Sequence, residues 1–247
     1  MIDIKKIHYS NNGREILSLD HLVLGDHPIT GIIGPNGSGK TTFLKHLTGE
    51  IPTKDTIYLN GKDISTYSPK EFAKMVAILT QFNDGVNPFL KVEELIRMGR
   101  YPHKGFFEPY DQKDEEIVEE IMERFDLKDF RHRFLHTLSG GELQRSMMAK
   151  VFATKPSVIL MDEPTNHLDS KYKIECMEML QSFSGPVITT LHDLHLCAKF
   201  CDQVLVLKDG KLMAKGAPKE VLEPDLLKDV FGINYRILRD PEFIIYY

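Results

Sequence analysis

The sequence is short of several things, and each absence narrows its class. Cysteine occurs only three times, as Cys176, Cys197 and Cys201, too few and odd in number for a disulfide framework. No apolar run approaches the length of a membrane span. The N-terminal MIDIKKIHYS lacks the apolar stretch of a signal peptide, so nothing marks the chain for secretion. There is no block of five or six basic residues, and the net charge is -5, which argues against a nucleic-acid backbone as the main partner. Internal repeats and low-complexity segments are missing too. A chain of this kind is expected to be cytoplasmic and soluble by itself. Its 42% hydrophobic and 27% charged residues suit a globular protein, and 247 residues can bury a full α/β core with room for an inserted subdomain.

One stretch dominates what is present. Gly34–Thr42 reads GPNGSGKTT and fits G-x-x-x-x-G-K-[ST], with Gly34, Gly39, Lys40 and Thr41 at the defining positions. A phosphate chain needs a ring of backbone N–H donors, and Gly34, Gly37 and Gly39 let the main chain turn tightly and approach closely. Pro35, Asn36 and Ser38 complete the loop, and Thr42 follows it. Lys40 supplies a mobile charge for the terminal phosphates, and Thr41 a hydroxyl for Mg²⁺. Ile29–Ile33 reads as a buried strand leading in; Thr42–Thr48 reads as a helix whose N-terminus faces the anion, with Gly49 as its stop. The site binds a nucleoside triphosphate. Alone it does not separate a kinase from a GTPase or a motor.

Around this loop the pattern alternates. Ile2–Tyr9 and Glu15–Leu19 read as strands about the turn Asn11-Asn12-Gly13, and Thr56–Leu59, the turn Asn60-Gly61 and Ile64 as another hairpin, predicting a small antiparallel sheet. Ser68-Pro69-Lys70-Glu71 is a capping box opening a helix. Val76–Thr80, Val158–Met161 and Val187–Leu191 read as core strands; Leu168–Ser182 and Leu194–Phe200 as helices; Gln203–Leu207 and Lys211–Lys215 as a hairpin across Asp209-Gly210. From Pro88 to about Val151 the periodicity is helical, with Ile117, Val118, Ile121, Met122 and Phe125 on one face. The fold class is α/β: a P-loop NTPase (RecA-like) core with an N-terminal antiparallel β subdomain and an inserted all-helical subdomain. The boundaries expected within this single unit are 1–87, 88–151 and 152–247.

The remaining chemistry gathers at strand ends. Asp162 closes the apolar run Val158–Met161 and can hold Mg²⁺ opposite Thr41. Glu163, one residue on, can reach an attacking water as general base. His192 follows Val187–Leu191 and emerges at the same carboxyl edge, where it can meet the γ-phosphate and hold Glu163 in line. Leu138-Ser139-Gly140-Gly141-Glu142 is a capping box at a helix start, yet two glycines in its first turn cost stability. Their use is bare N–H groups and close backbone approach, a second phosphate site that serves another molecule's nucleotide. Cys197 and Cys201 read as small apolar residues on one helix face.

These motifs together resemble the ATPase subunit of an ATP-binding cassette (ABC) transporter over nearly the whole chain. GPNGSGKT is similar to the Walker A loop, Gln81 to the Q-loop residue that also reaches Mg²⁺, LSGGE to the signature, VILMDE to Walker B, Asn166-His167-Leu168-Asp169 to the D-loop, and His192 to the switch histidine. Tyr9 matches the aromatic that stacks on adenine; a plain strand aromatic is the competing reading. The resemblance implies a head-to-tail homodimer in which each ATP lies between one chain's Gly34–Thr42 and the other's Ser139–Glu142, with Asp169 nearby. It implies integral membrane permease subunits as partners, a place at the cytoplasmic face of the membrane, and an extracytoplasmic solute-binding protein acting indirectly. Met98-Gly99-Arg100-Tyr101-Pro102-His103, Pro218–Leu222 and Asp240-Pro241 resemble importers of iron–siderophores, haem and vitamin B12, and Arg100–His103 are expected at the permease-docking surface. Leu143 and Ser146-Met147-Met148 depart from the usual signature helix.

Two other classes compete. A soluble P-loop phosphotransferase needs an acceptor pocket and has no use for LSGGE. An ABC ATPase of ribosomes or DNA resembles two cassettes in one chain or carries long arms, and this chain has neither. An importer of other cargo, such as metal ions, stays open as the nearer alternative.

Overall fold

Turn chemistry sets out the first third of the molecule. In the computed structural model, which describes residues 1–80, 86–166, 168–238 and 244–246, β1 (Ile2–Asn11) and β2 (Arg14–Leu24) form a hairpin. Its turn residues Asn12 and Gly13 both take positive φ, 48° and 76°, as a type I′ turn demands. β3 (Ile29–Ile33) is buried throughout and runs into the glycine loop, after which α1 (Lys40–Leu47) begins two residues earlier than the apolar pattern suggested. β4 (Ile57–Leu59) and β5 (Lys62–Asp63) turn about Asn60 and Gly61, again at positive φ. The Ser68–Glu71 capping box opens α2 (Pro69–Met75), which leads into β6 (Val76–Leu79).

The helical insertion follows as α3 (Val92–Met98), α4 (Gln112–Arg124) and α5 (Gly140–Ala153), joined by 3₁₀ turns. The core resumes with β7 (Val158–Met161), α6 (Ser170–Gln181), β8 (Val187–Thr190) and α7 (Leu194–Phe200). β9 (Gln203–Lys208) and β10 (Lys211–Gly216) turn about Asp209 and Gly210. The tail holds α8 (Pro218–Val221), α9 (Pro224–Phe231) and a two-stranded ribbon of β11 (Arg236–Leu238) and β12 (Ile244–Tyr246).

Ten of these strands form one sheet in the order β5-β4-β1-β2-β10-β9-β3-β8-β7-β6. The run β9-β3-β8-β7-β6 is parallel and the run β5-β4-β1-β2 antiparallel, with β10 antiparallel to β9 and parallel to β2. The antiparallel strands were expected as a small sheet flanking the glycine loop. They are continuous with the core through the single parallel register pair Lys211↔Ser18, reinforced where the Ser18 N–H donates to the Gly210 carbonyl at 2.8 Å.

Period-two alternation splits the parallel strands between two cores. Ile159, Met161 and Val187 face a core made with the insertion and α6, α7 and α9. Val158, Leu160 and Ile188 face the opposite one, shared with α1 and the antiparallel strands. Phe43, Leu44 and Leu47 bury the inner face of α1 there, each contributing about 1.5–3 kcal/mol. That burial fixes the helix whose first turn carries Lys40 and Thr41. Cys197 and Cys201 lie buried against Gly31 of β3, where a Cβ would come within 2.7 Å of the Cys201 Sγ.

Within the segment after α3, Arg100 turns inward while Tyr101 stays exposed. Arg100 is buried: its Nε donates to Asp114 Oδ1 at 2.9 Å and its Nη1 to the Ala153 carbonyl at 2.8 Å, so it ties α4 to the end of α5. Lys104 closes on the same Asp114 and on Asp111. His103 Nε2 meets the Thr154 carbonyl at 2.9 Å. An internal staple, not an exposed docking residue, is what Arg100 provides.

Candidate functional site

At the carboxyl ends of β3, β7 and β8 the loop, the acid pair and the histidine come together. Gly34 takes φ 156°, and a Cβ there would drive into the Leu207 carbonyl and the Ser38 hydroxyl. Gly39 at φ 99° is the left-handed residue from which α1 starts, hard against the Ile16 carbonyl. Only glycine meets both demands at once. The Ser38 carbonyl accepts from Gly210 N–H at 3.1 Å, which anchors the loop to the β9–β10 turn.

Lys40 folds back over the loop, its Nζ donating to the carbonyls of Gly34 at 2.8 Å and Pro35 at 3.2 Å. Burial pushes its ammonium below the ordinary lysine value, and the charges of Glu163 and Asp162 offset part of that fall. Thr41 is exposed on the first turn of α1. A cleft of about 550 Å³ opens over the loop, lined by Asn36–Thr42 together with Glu163, Arg14, Glu15, Ile16 and Asp209.

Asp162 accepts a hydrogen bond from Thr190 Oγ1 at 2.6 Å, and the same oxygen accepts from the Glu163 N–H at 2.8 Å. Glu163 adopts φ 52°, uncommon for a residue with a side chain. Its carboxylate is gripped from both sides, by His192 Nε2 on Oε1 and by Asn166 Nδ2 on Oε2. So Lys40, Thr41, Asp162, Glu163 and His192 are brought to one edge. Gln81 and His167 lie outside the described residues.

Tyr9 stands on β1 at a register shift, its ring edge-on to His46 with centroids 5.2 Å apart. The His46 ring is buried, and burial pushes its pKa down. Arg14, Glu15, Ile16 and Asp209 escaped the sequence reading because nothing marks hairpin tips as cleft walls. Thr190 escaped it as well; the signal was a hydroxyl placed two residues after Ile188 on the α1 side of a core strand.

Ser139–Glu142 is not part of this cleft. It opens α5, where Ser139 Oγ accepts from Glu142 N–H at 3.3 Å and Glu142 Oε2 accepts from Ser139 N–H at 2.7 Å. That backbone donor holds the Glu142 carboxyl below the usual carboxylate range. The two glycines differ. Gly140 is exposed with nothing near a would-be Cβ, whereas Gly141 is buried beneath the Tyr172 ring of α6. Close backbone approach at Gly141 therefore serves this chain's own packing. Asp169 caps α6 by position and is exposed. Buried Gln144 joins the two regions, its Nε2 donating to the Pro164 carbonyl at 2.6 Å.

The family model described as ABC transporter matches residues 20–166, more than half of the chain. The chain belongs to the ABC transporter family. This cassette binds ATP and is an ATP hydrolase. It is 36% identical to the petrobactin import ATP-binding protein FpuC of Bacillus anthracis, over 98% of this chain and 90% of that one. It is 35% identical to the hemin import ATP-binding protein HmuV of Rhizobium meliloti (strain 1021), over 96% and 93%. Among solved structures, a dimeric post-hydrolysis ATP-binding cassette bound to ADP and Pi superposes with a TM-score of 0.73 at 23% identity, covering 88% of this chain and 99% of that one. That likeness is one of fold, and it agrees with the α/β P-loop class. Among the described residues no helix is long and apolar enough to cross a membrane.

Proposed function

We propose that this cassette is the ATP-hydrolysing subunit of an importer, working as a head-to-tail homodimer beneath membrane permease subunits. Its cargo on this reading is an iron–siderophore, haem or cobalamin-like complex delivered by an extracytoplasmic solute-binding protein; relatives named for petrobactin and hemin import support that choice. Another importer cargo, such as a metal ion, is the alternative.

Nucleotide fits the residues present. The loop is a cradle that a Cβ at Gly34 would fill, and Ser38 Oγ is buried within it without a hydrogen-bond partner. Lys40, lying on loop carbonyls, exchanges them for terminal phosphate oxygens. Thr41, Asp162 and Gln81 would hold Mg²⁺, which supplies charge neutralisation on the phosphates when bound. Glu163 accepts the proton of the attacking water, and His192 with Asn166 fixes the direction of its carboxylate. Tyr9, half-buried on β1, offers a ring to adenine on this reading.

A single observation carries the dimeric reading: Ser139 and Gly140 sit exposed at a helix tip outside the cleft that Lys40 and Glu163 share. That tip serves a second copy. On this reading the helical span 88–151 presents the tip while 1–87 and 152–247 hold the loop and acids. Ser139→Arg should spare ATP binding yet abolish hydrolysis, and mixing it with Lys40→Ala chains should restore activity, because each mixed pair contains one intact composite site. Mixed pairs proven by differential tags but silent in hydrolysis would refute the arrangement.

A further inference from the structure

Thr190 is the last residue of β8, fully buried, with its side chain on the α1 side of the sheet. Its hydroxyl has one proton to give, and that proton goes to Asp162 Oδ1 at 2.6 Å. A lone pair then remains for the Glu163 N–H at 2.8 Å. One oxygen thus meets both members of the acid pair, one through its carboxylate and the other through its backbone. The second bond falls at a residue held at φ 52°, a conformation that costs a residue with a Cβ about 1–2 kcal/mol. Without it, the Glu163 N–H would lose its partner at the turn that aims the carboxylate toward His192.

We infer that Thr190 is a positioning residue: its hydroxyl orients the Asp162 carboxylate for the divalent cation and holds Glu163 in its left-handed turn. The inference rests on the nucleotide-and-metal reading above and adds to it a residue that touches neither ligand. Carboxylates that ligate metals are themselves held by hydrogen bonds, and losing such a partner costs 10–100-fold in metal affinity or activity. Valine has the shape of threonine and no hydroxyl; serine keeps the hydroxyl and loses the methyl.

The test uses the full chain as Thr190→Val and Thr190→Ser, with Mn²⁺ as the cation probe. Free Mn²⁺ is read by electron paramagnetic resonance during titration of ATP-loaded protein, and ATP affinity is measured separately in chelator. Thr190→Val should weaken Mn²⁺ binding by about 10–100-fold, Thr190→Ser should stay near wild type, and metal-free ATP affinity should hold in both. Unaltered Mn²⁺ affinity in Thr190→Val would overturn the role. So would an equal loss in Thr190→Ser, since the effect would then belong to methyl packing. If the wild-type chain takes up no Mn²⁺ with ATP, the nucleotide reading falls as well; normal wild-type uptake beside an unaffected Val variant sinks this inference alone.

Discussion

Replacing Arg100 with methionine should unfold the helical insertion more readily without touching the nucleotide cleft. The guanidinium and the Asp114 carboxylate are both buried, with side-chain exposures of 6% and 4%. Breaking such a pair by removing one partner costs about 3–5 kcal/mol. The Ala153 carbonyl also loses its Nη1 donor. Against that, Lys104 remains on Asp114 and methionine restores apolar volume, so the low end, about 3 kcal/mol, is the working figure. At roughly 2–4 °C per kcal/mol for a chain of this size, the melting temperature should fall by about 6–12 °C. Arg97→Met, which breaks a bidentate but far more open pair with Glu115, is the control and should cost no more than about 1 kcal/mol.

The pH dependence of that difference carries its own sign. Burial alone pushes the Asp114 carboxyl up, but hydrogen bonds from Lys104 and Arg100 outweigh it and hold the group down at about 2, against an ordinary 3.8. A depressed folded pKa gives stability that is whole above the unfolded value and is lost as pH falls through the folded one. The wild-type advantage should therefore be constant near neutrality and shrink between about pH 4 and 2. Calorimetric scans of the three proteins decide it. A melting point for Arg100→Met within a degree or two of wild type, or matching Arg97→Met, would refute the staple.

Glu163→Gln should bind ATP and trap the dimer while hydrolysing it about 10²–10⁴-fold more slowly; single-turnover kinetics with near-normal rates would remove Glu163 from its role. Gly141→Ala should destabilise the chain by about 1–3 kcal/mol because its methyl enters the Tyr172 ring, whereas Gly140→Ala, with open space around it, should be near neutral in urea unfolding. Equal melting of the two variants would contradict the packing asymmetry.

Local chemistry made much of the fold legible. Val158–Met161 and Leu194–Phe200 are strand and helix to the residue, since an unbroken apolar run and an Asp193 cap leave little choice. Asn12-Gly13, Asn60-Gly61 and Asp209-Gly210 turn with the positive φ those dipeptides favour. What stayed hidden depends on partners distant in sequence. Arg100 reads as a surface residue after a helix stop until Asp114 and Ala153 close over it. Gly141 reads as a bare donor until Tyr172, a full helix later, covers it. The start of α1 at Lys40 follows from a left-handed Gly39, which apolar periodicity does not register. Thr190 has meaning only beside Asp162 and Glu163, brought next to it by the pairing of β7 with β8.

The tether from Ser18 through Gly210 to Ser38 makes the β1–β2 hairpin and the glycine loop a single block of backbone hydrogen bonds. Glu163 and His192 follow β7 and β8, which join β3 in the same sheet, whereas the Ser139 tip belongs to α5, outside the sheet. The sheet with its glycine loop forms one jaw of a vice, and α5 carries the other. A crosslink within the hairpin-and-loop block should leave turnover intact, and one pinning α5 to Pro164 should stall it.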